Sequence, residues 1–263
     1  MRRLNDWYRH PRYYEAIFGV DSERELDFLE QINGWFGTGG GTWLEPACGA
    51  GRLVEAAVRR GHTVIGCDVS EEMLAHARAR LNGAGPGVAY LARQRMEHFC
   101  PAAWRGRIDL AFCLVSTFRY LPSDAAALSH LRAVRRLLRP GGVYALGFHL
   151  TDYARRRIER ERWVGQLGPE RIVCNTREWP PDRRLRRARV RNRLSISGPH
   201  GSRVIETEWH FRTWSEDQAL RLFDRARFEL RAVYGFDGDL AQPLGWDSPR
   251  LDRVMILAPR IAP

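Results

Sequence analysis

From residue 42 onward, short apolar runs alternate with stretches whose apolar residues recur at helical spacing. The runs Thr42–Glu45, His62–Cys67, Val88–Ala92, Ile108–Leu114 and Val143–His149 read as strands. Between them, Leu53–Arg60, Glu71–Leu81 and a stretch from Ser123 to about Leu138 read as helices. Ser70 and Ser123 stand at N-cap positions, and Arg139-Pro-Gly-Gly142 ends the last helix. Nearly continuous apolar strands alternating with helices predict a parallel sheet covered on both faces. Ahead of this core, residues 1–36 read as helical and aromatic, with Leu26, Leu29, Ile32 and Phe36 near helical spacing. The loop Gly37–Gly41 closes that segment.

Beyond residue 150 the period changes to two. Arg171–Trp179, Arg187–Ser197 and Ser202–Trp214 read as antiparallel strands, the last two joined through Ser197-Gly-Pro-His-Gly-Ser202. Arg155–Arg162, with Glu159 and Glu161 interleaved, reads as a solvated helical face. Ser215-Glu-Asp-Gln218 reads as a capping box opening a helix to about Ala226, and strands follow at Phe228–Tyr234 and Arg253–Ala258. The expected fold is therefore α/β, a mostly parallel seven-stranded Rossmann-like sheet plus an inserted antiparallel cap. Its expected divisions are an N-terminal helical cap (1–40), a nucleotide-binding core (41–152), the insertion (153–214) and a C-terminal completion of the core (215–263).

The candidate chemistry lies at the first strand–helix turn, Glu45-Pro-Ala-Cys-Gly-Ala-Gly51, followed by Asp68 at the end of the next strand. Glycines there let a ligand approach the backbone, and the acidic residue suits two ribose hydroxyls, so an adenosine-containing cofactor is expected. Val54 stands where a dinucleotide turn wants a third small residue. The Glu45 carboxylate would repel a pyrophosphate but suits a cationic amino group. Both features favour S-adenosylmethionine.

The segment resembles motif I of the class I S-adenosylmethionine-dependent methyltransferases. Val64-Ile-Gly-Cys-Asp-Val-Ser-Glu-Glu-Met73 is similar to their second motif, and Leu138-Arg-Pro-Gly-Gly142 to the turn before their fifth strand. The fit is closest to the small-molecule branch, including sugar-amine N-methyltransferases and glycine N-methyltransferase-like enzymes. The resemblance implies a cofactor site of Glu45, Ala47, Gly49, Gly51, Asp68, Val69, Met73, Arg95, Met96, Leu114 and Thr117, with Phe118 lining the same crevice. Tyr14 matches an aromatic position covering the methionine end, and S-adenosylhomocysteine is the implied product. Two departures stand out. Ala47 replaces a common glycine, and Arg95 replaces an aspartate that accepts from the adenine amino group, which a guanidinium cannot do. Either backbone groups and Met96 hold the adenine, or Arg95 points outward and Glu97 serves instead. The Asn/Asp-Pro-Pro-aromatic motif of nucleic-acid adenine methyltransferases is replaced here by Leu114-Val-Ser-Thr-Phe-Arg-Tyr120, against methylation of DNA base amino groups.

Methyl transfer from a sulfonium needs alignment, exclusion of water and sometimes removal of a proton. Tyr120, after the fourth strand, matches a His of related sugar-amine enzymes and is the first candidate for orienting or deprotonating the acceptor. His149, ending the fifth strand, has the better intrinsic pKa and is the second. The remaining composition narrows partners. Net charge is +11, yet the chain holds no lysine, so arginine at every basic position reads as a general bias and nucleic acid is not the default partner. Along Arg187, Arg189, Arg191 and Arg193, pairing with Glu206 and Glu208 predicts a charge-balanced outer sheet face, with a surface for an anionic substrate or partner as the alternative. Five scattered cysteines without a CxxC pair, no signal peptide and no apolar run long enough to span a bilayer suit a reduced cytoplasmic protein without a metal site. The expected protein is a monomer or homodimer acting on a small molecule at N or O. An RNA or protein methyltransferase, and a non-catalytic S-adenosylmethionine-binding subunit, are the rivals.

Overall fold

The computed structural model describes residues 6–19, 22–199, 201–245 and 248–260. The chain divides into two compact units: described residues up to 19 with Asp152–Thr213, and residues 22–151 with those from Trp214 onward.

The larger unit is a seven-stranded sheet with helices on both faces. Its elements in chain order are α2 (Ser22–Phe36, following α1, Pro11–Phe18, of the smaller unit), β1 (Thr42–Pro46), α3 (Arg52–Arg59), β2 (Thr63–Asp68), α4 (Glu71–Leu81), β3 (Val88–Arg93), β4 (Ile108–Cys113), α5 (Asp124–Leu137) and β5 (Leu138–His149). After β6 (Glu159–Leu167), β7 (Glu170–Glu178), β8 (Arg187–Gly198) and β9 (Gly201–Arg212) of the smaller unit come α6 (Glu216–Arg225), β10 (Phe228–Tyr234) and β11 (Asp252–Pro259). The strand order is β10-β11-β5-β4-β1-β2-β3. All neighbours from β5 to β3 are parallel, while β11 is antiparallel to β5 and β10 to β11. The chain order therefore reverses between β1 and β4, the place where open α/β sheets bind ligands beyond their strand ends.

The central strands β1, β2, β4 and β5 bury both faces, which explains their apolar runs, while the edge strand β3 is largely exposed. Trp43, Leu110 and Phe112 pack with Leu26, Leu29 and Ile32 of α2 and Val54 of α3. On the other face Leu44, Tyr144 and Leu257 pack with Leu131 of α5 and Phe223 of α6. Ser70, Ser123 and Ser215 accept from the backbone as N-caps, and Ser215 with Gln218 forms the reciprocal capping box. One boundary differs from expectation. β5 opens at Leu138 rather than Val143, because Leu138 already pairs with Ile108 before a register shift absorbs the Pro-Gly-Gly turn.

In the smaller unit β6-β7-β8-β9 form one antiparallel sheet. Ile172, Cys174, Leu194, Ile196 and Ile205 face inward, packed with Trp7 and Ile17. The helical reading of Arg155–Arg162 is overturned: Glu159 onward is strand β6, paired along its length with β7. The alternation Glu161, Trp163, Gly165, Leu167 carried a period-two signal that the dense charges obscured. Gly165 is required there, since a Cβ would lie 2.0 Å from the Ala16 carbonyl oxygen of α1. The expected helical character of residues 1–5, the His200 tip of the β8–β9 hairpin and the final residues 261–263 lie outside the described residues. Among the described residues, no helix is long and apolar enough to cross a membrane.

Candidate active site

The turn after β1 is built on left-handed backbone: Ala47, Gly49 and Gly51 have φ of 59°, 54° and 75°. The two glycines do different work. A Cβ on Gly51 would lie 2.8 Å from the Cβ of Ala77, so this glycine lets the turn close on α4. A Cβ on Gly49 would meet nothing within 4 Å and would project into open space above the strand ends. Ala47 carries its left-handed conformation without that freedom, at a cost of about 1–2 kcal/mol.

Asp68 joins this turn to the next. Its Oδ2 accepts from the Gly49 N–H at 2.9 Å and its Oδ1 from the Ser70 N–H at 2.9 Å. Burial raises its pKa, and those backbone donors oppose the rise. Each oxygen retains a lone pair, so the carboxylate can still accept from a diol. Glu45 lies deeper. Burial pushes its pKa up to about 8; the Arg52 guanidinium works against this, and the Glu25 and Asp68 carboxylates work with it. Its Oε2 is buried without a hydrogen-bond partner. Arg52 itself is held by Ser22 and Glu25. A buried carboxyl oxygen left unsatisfied costs on the order of 1–3 kcal/mol, the signature of a group awaiting a cationic or donor ligand.

The other expected contacts divide. Val69 is 57% exposed just beyond Asp68, an open apolar surface beside that carboxylate. Met73 is 1% exposed, so its side chain belongs to the packed interior. Arg95 points outward: its side chain is 59% exposed and its Nε donates to Glu97 Oε1 at 2.6 Å, while Glu97 is buried. Of the two alternatives for that position, the outward arginine is the one observed, which leaves Glu97 and Met96 on the inner side. The loop they share is fixed by α5. Ser129 Oγ donates to the Glu97 carbonyl at 2.7 Å, and His130 Nδ1 lies 3.1 Å from the Met96 carbonyl. His130 Nε2 meets the Tyr144 hydroxyl at 2.8 Å. Burial lowers the His130 pKa to about 4, so the ring is neutral, donating from Nδ1 and accepting at Nε2. Tyr14 lies in the smaller unit, among Trp7, Tyr8 and Phe18. Phe118 does not line the crevice: it is fully buried against Phe148 and Trp214.

At the end of β4, Leu114 is followed by Val115 and Ser116, with φ of 57° and 65°, and then by a single 3-10 turn, Thr117–Tyr120. Two consecutive left-handed residues without glycine, one of them β-branched, are costly and persist only where their surroundings fix them. Here the Ser116 N–H donates to the Gly147 carbonyl at 3.1 Å, and Ser116 Oγ accepts from the His149 N–H at 3.1 Å. The same Oγ lies 2.7 Å from His149 Nδ1. Phe236 sets its ring edge-on against the imidazole, with centroids 4.9 Å apart. A cavity of about 220 Å³ opens beside these groups, lined by Phe28, Leu114, Val115, Phe236 and Asp237. Tyr120 is half-buried at the end of the 3-10 turn. The strand-end position of His149 was legible in the sequence; its Ser116 partner was not, because no spacing rule marks a left-handed serine.

Comparison with known proteins gives a consistent picture. Residues 44–142 match a family described as a methyltransferase domain. A ubiquinone biosynthesis O-methyltransferase of Pseudomonas paraeruginosa is 34% identical over 132 residues, 46% of this chain and 53% of that protein. The chain thus spans about half the length of the curated relatives it matches. Two solved structures share nearly the whole fold. An S-adenosylmethionine-dependent methyltransferase from Clostridium acetobutylicum has a TM-score of 0.74 at 15% identity, covering 97% of this chain and 99% of that one. A sugar N-methyltransferase from Streptoalloteichus has a TM-score of 0.73 at 20% identity, covering 99% and 96%. The α/β architecture with its separate antiparallel sheet is therefore shared with these two solved methyltransferase structures.

Proposed function

We propose that the protein transfers a methyl group from S-adenosylmethionine to an oxygen or nitrogen of a small molecule. The observation that carries this reading is the buried, unpartnered Oε2 of Glu45 beside the Gly49–Asp68 clamp. The methionine ammonium would satisfy Glu45, the ribose hydroxyls would meet Asp68, and Gly49 leaves the space between them. Val69, Met96 and Glu97 suit the adenosine, with Glu97 accepting where the family uses aspartate. The relatives support small acceptors: one curated relative is named for ubiquinone biosynthesis and one solved neighbour for sugar N-methylation. Free cysteines throughout suit a reducing, cytoplasmic setting.

Bound S-adenosylmethionine supplies an electrophilic methyl on a sulfonium, whose leaving group needs no acid. What the chain must add is alignment and, for a hydroxyl or ammonium acceptor, proton removal. To His149, at the carboxyl end of β5, we assign the second task. Its Nδ1 lies 2.7 Å from Ser116 Oγ, a contact that fixes the orientation of the imidazole. Tyr120 then orients the acceptor rather than acting as the base, since a phenol near pKa 10 is a weak base at neutral pH.

Calorimetric titration with S-adenosylmethionine tests the reading. At pH 7, about nine-tenths of Glu45 carries its proton in the free protein, because its pKa lies near 8. An ammonium ligand favours the carboxylate, so binding should release about one proton, measured across buffers of differing ionisation enthalpy. At pH 9 that release should vanish, and Glu45→Gln should abolish it at pH 7. Absence of binding by both S-adenosylmethionine and S-adenosylhomocysteine would overturn the proposal.

A further inference from the structure

The outer face of the β6–β9 sheet carries an unbalanced array of arginines. Register places Arg160 of β6 opposite Arg177 of β7, and Arg177 opposite Arg191 of β8. The adjacent row on the same face runs Arg162, Asn175, Arg193. Arg187 and Arg189 extend it along β8, and all of these arginines except Arg191 are exposed. The charge balance expected from Glu206 and Glu208 is only half realised. Arg189 is bidentate to Glu208 at 2.8 and 2.7 Å, and Arg193 lies 3.7 Å from Glu206. None of the ion pairs of this unit among the described residues involves Arg160, Arg162 or Arg177. Missing from the sequence reading were β6 itself and the in-register Arg177.

Like charges directly opposite one another on a sheet are destabilising. Three guanidinium-bearing positions in one row, with strands about 4.8 Å apart and i,i+2 neighbours about 6.8 Å apart, form a cationic lattice that an extended polyanion neutralises. An indole lies within it: Trp179 sits beneath the guanidinium of Arg189, 4.3 Å from the ring centroid, with Arg191 at 5.7 Å. Planar guanidiniums over an aromatic ring offer both phosphate pairing and base stacking. A four-stranded sheet face is too broad to enter a duplex groove but accepts splayed bases.

We propose that this face binds single-stranded nucleic acid, as a partner surface distinct from the methyl-acceptor site and independent of the methyl-transfer reading. The whole chain would be titrated into fluorescein-labelled twelve-nucleotide oligo(U) RNA and read by anisotropy. If about four phosphates are engaged, raising salt from about 50 to about 200 mM should weaken binding about 50-fold, given a single-strand slope near −0.7 per phosphate. Oligo(dT) of equal length shows whether the ribose contributes; binding of either supports the surface. The triple variant Arg160→Gln, Arg177→Gln, Arg191→Gln should weaken binding at least about 10-fold. A control of equal charge change in the larger unit, Arg59→Gln, Arg105→Gln, Arg107→Gln, should bind like the parent. Three results would overturn the proposal: no binding at low salt, equal loss in both triple variants, or displacement of RNA by polyglutamate at equal charge concentration. The parent's binding, its salt slope and the polyglutamate competition need no variant and stand even if a substitution unfolds the sheet.

Discussion

Two turns at the carboxyl edge of the same sheet solve opposite problems with the same backbone conformation. After β1, left-handed φ falls on Ala47, Gly49 and Gly51; Gly49 leaves open space and Gly51 lets the turn close on α4. After β4, left-handed φ falls on Val115 and Ser116, where glycine would be the unstrained choice. The first turn makes room; the second keeps a hydroxyl in place, because Ser116 fixes both the backbone and the ring of His149. On the proposed reading, strain is retained where a side chain is needed for chemistry and, Ala47 apart, relieved where only space is needed.

The largest effect should come from breaking the second turn's chemistry. His149→Gln should lower turnover about 10²–10⁴-fold, the range for loss of a general base, while affinity for S-adenosylhomocysteine changes little. Ser116→Ala should be milder in kcat but should shift the pH profile of kcat/KM, because the imidazole loses the partner that sets its tautomer. Unchanged turnover in His149→Gln, measured with an identified acceptor, would move the chemistry to Tyr120.

The first turn yields a contrast between its two glycines. Gly49→Val and Gly51→Val both place a β-branched residue at left-handed φ and share a strain cost of about 1–2 kcal/mol. Beyond that, Gly49→Val should weaken cofactor binding by about 2 kcal/mol or more, since the new side chain projects into the ligand space, whereas Gly51→Val should lower stability by about 1–3 kcal/mol further, because its Cβ meets Ala77 and α4 cannot move without disturbing Leu74 and Met73. Thermal melts with and without S-adenosylhomocysteine separate the two. If both variants lose affinity alone, or stability alone, the division of labour between these glycines is wrong.

How much of this was legible in the chain depended on whether the signal was local. Helix caps at Ser70, Ser123 and Ser215 and the buried parallel strands are local patterns, and each appears where its residues indicated. The glycine turn and Asp68 were also readable, because spacing along one βαβ unit nearly fixes their geometry. Strand β6 was hidden because its outward and inward residues are both charged near Glu159–Arg162, which removes the apolar alternation. The inward burial of Phe118 and the outward turn of Arg95 depended on partners far along the chain: Trp214 for the first, and the α5-anchored loop that buries Glu97 for the second. The Ser116–His149 pair likewise joins residues 33 positions apart through a strained turn that no propensity rule favours.

The smallest predicted effect isolates backbone strain from function. Ala47 and Val115 both hold left-handed φ, and Val115 is 56% exposed, so little packing is lost if it is trimmed. Relief of about 1–2 kcal/mol of left-handed strain is partly offset by the greater freedom that glycine gives the unfolded chain, about 0.4–1 kcal/mol. Ala47→Gly should therefore stabilise the protein by about 0.5–1 kcal/mol, with cofactor affinity preserved, since it restores the residue common at that position. Val115→Gly should stabilise by a similar amount yet lower turnover, because the turn that carries Ser116 becomes free to leave its bonded geometry. Urea denaturation gives the first quantity and single-turnover kinetics the second. Equal stabilisation with equal, undiminished turnover in both variants would mean that the strain after β4 serves no chemical purpose, and that the contrast between the two turns is one of sequence alone.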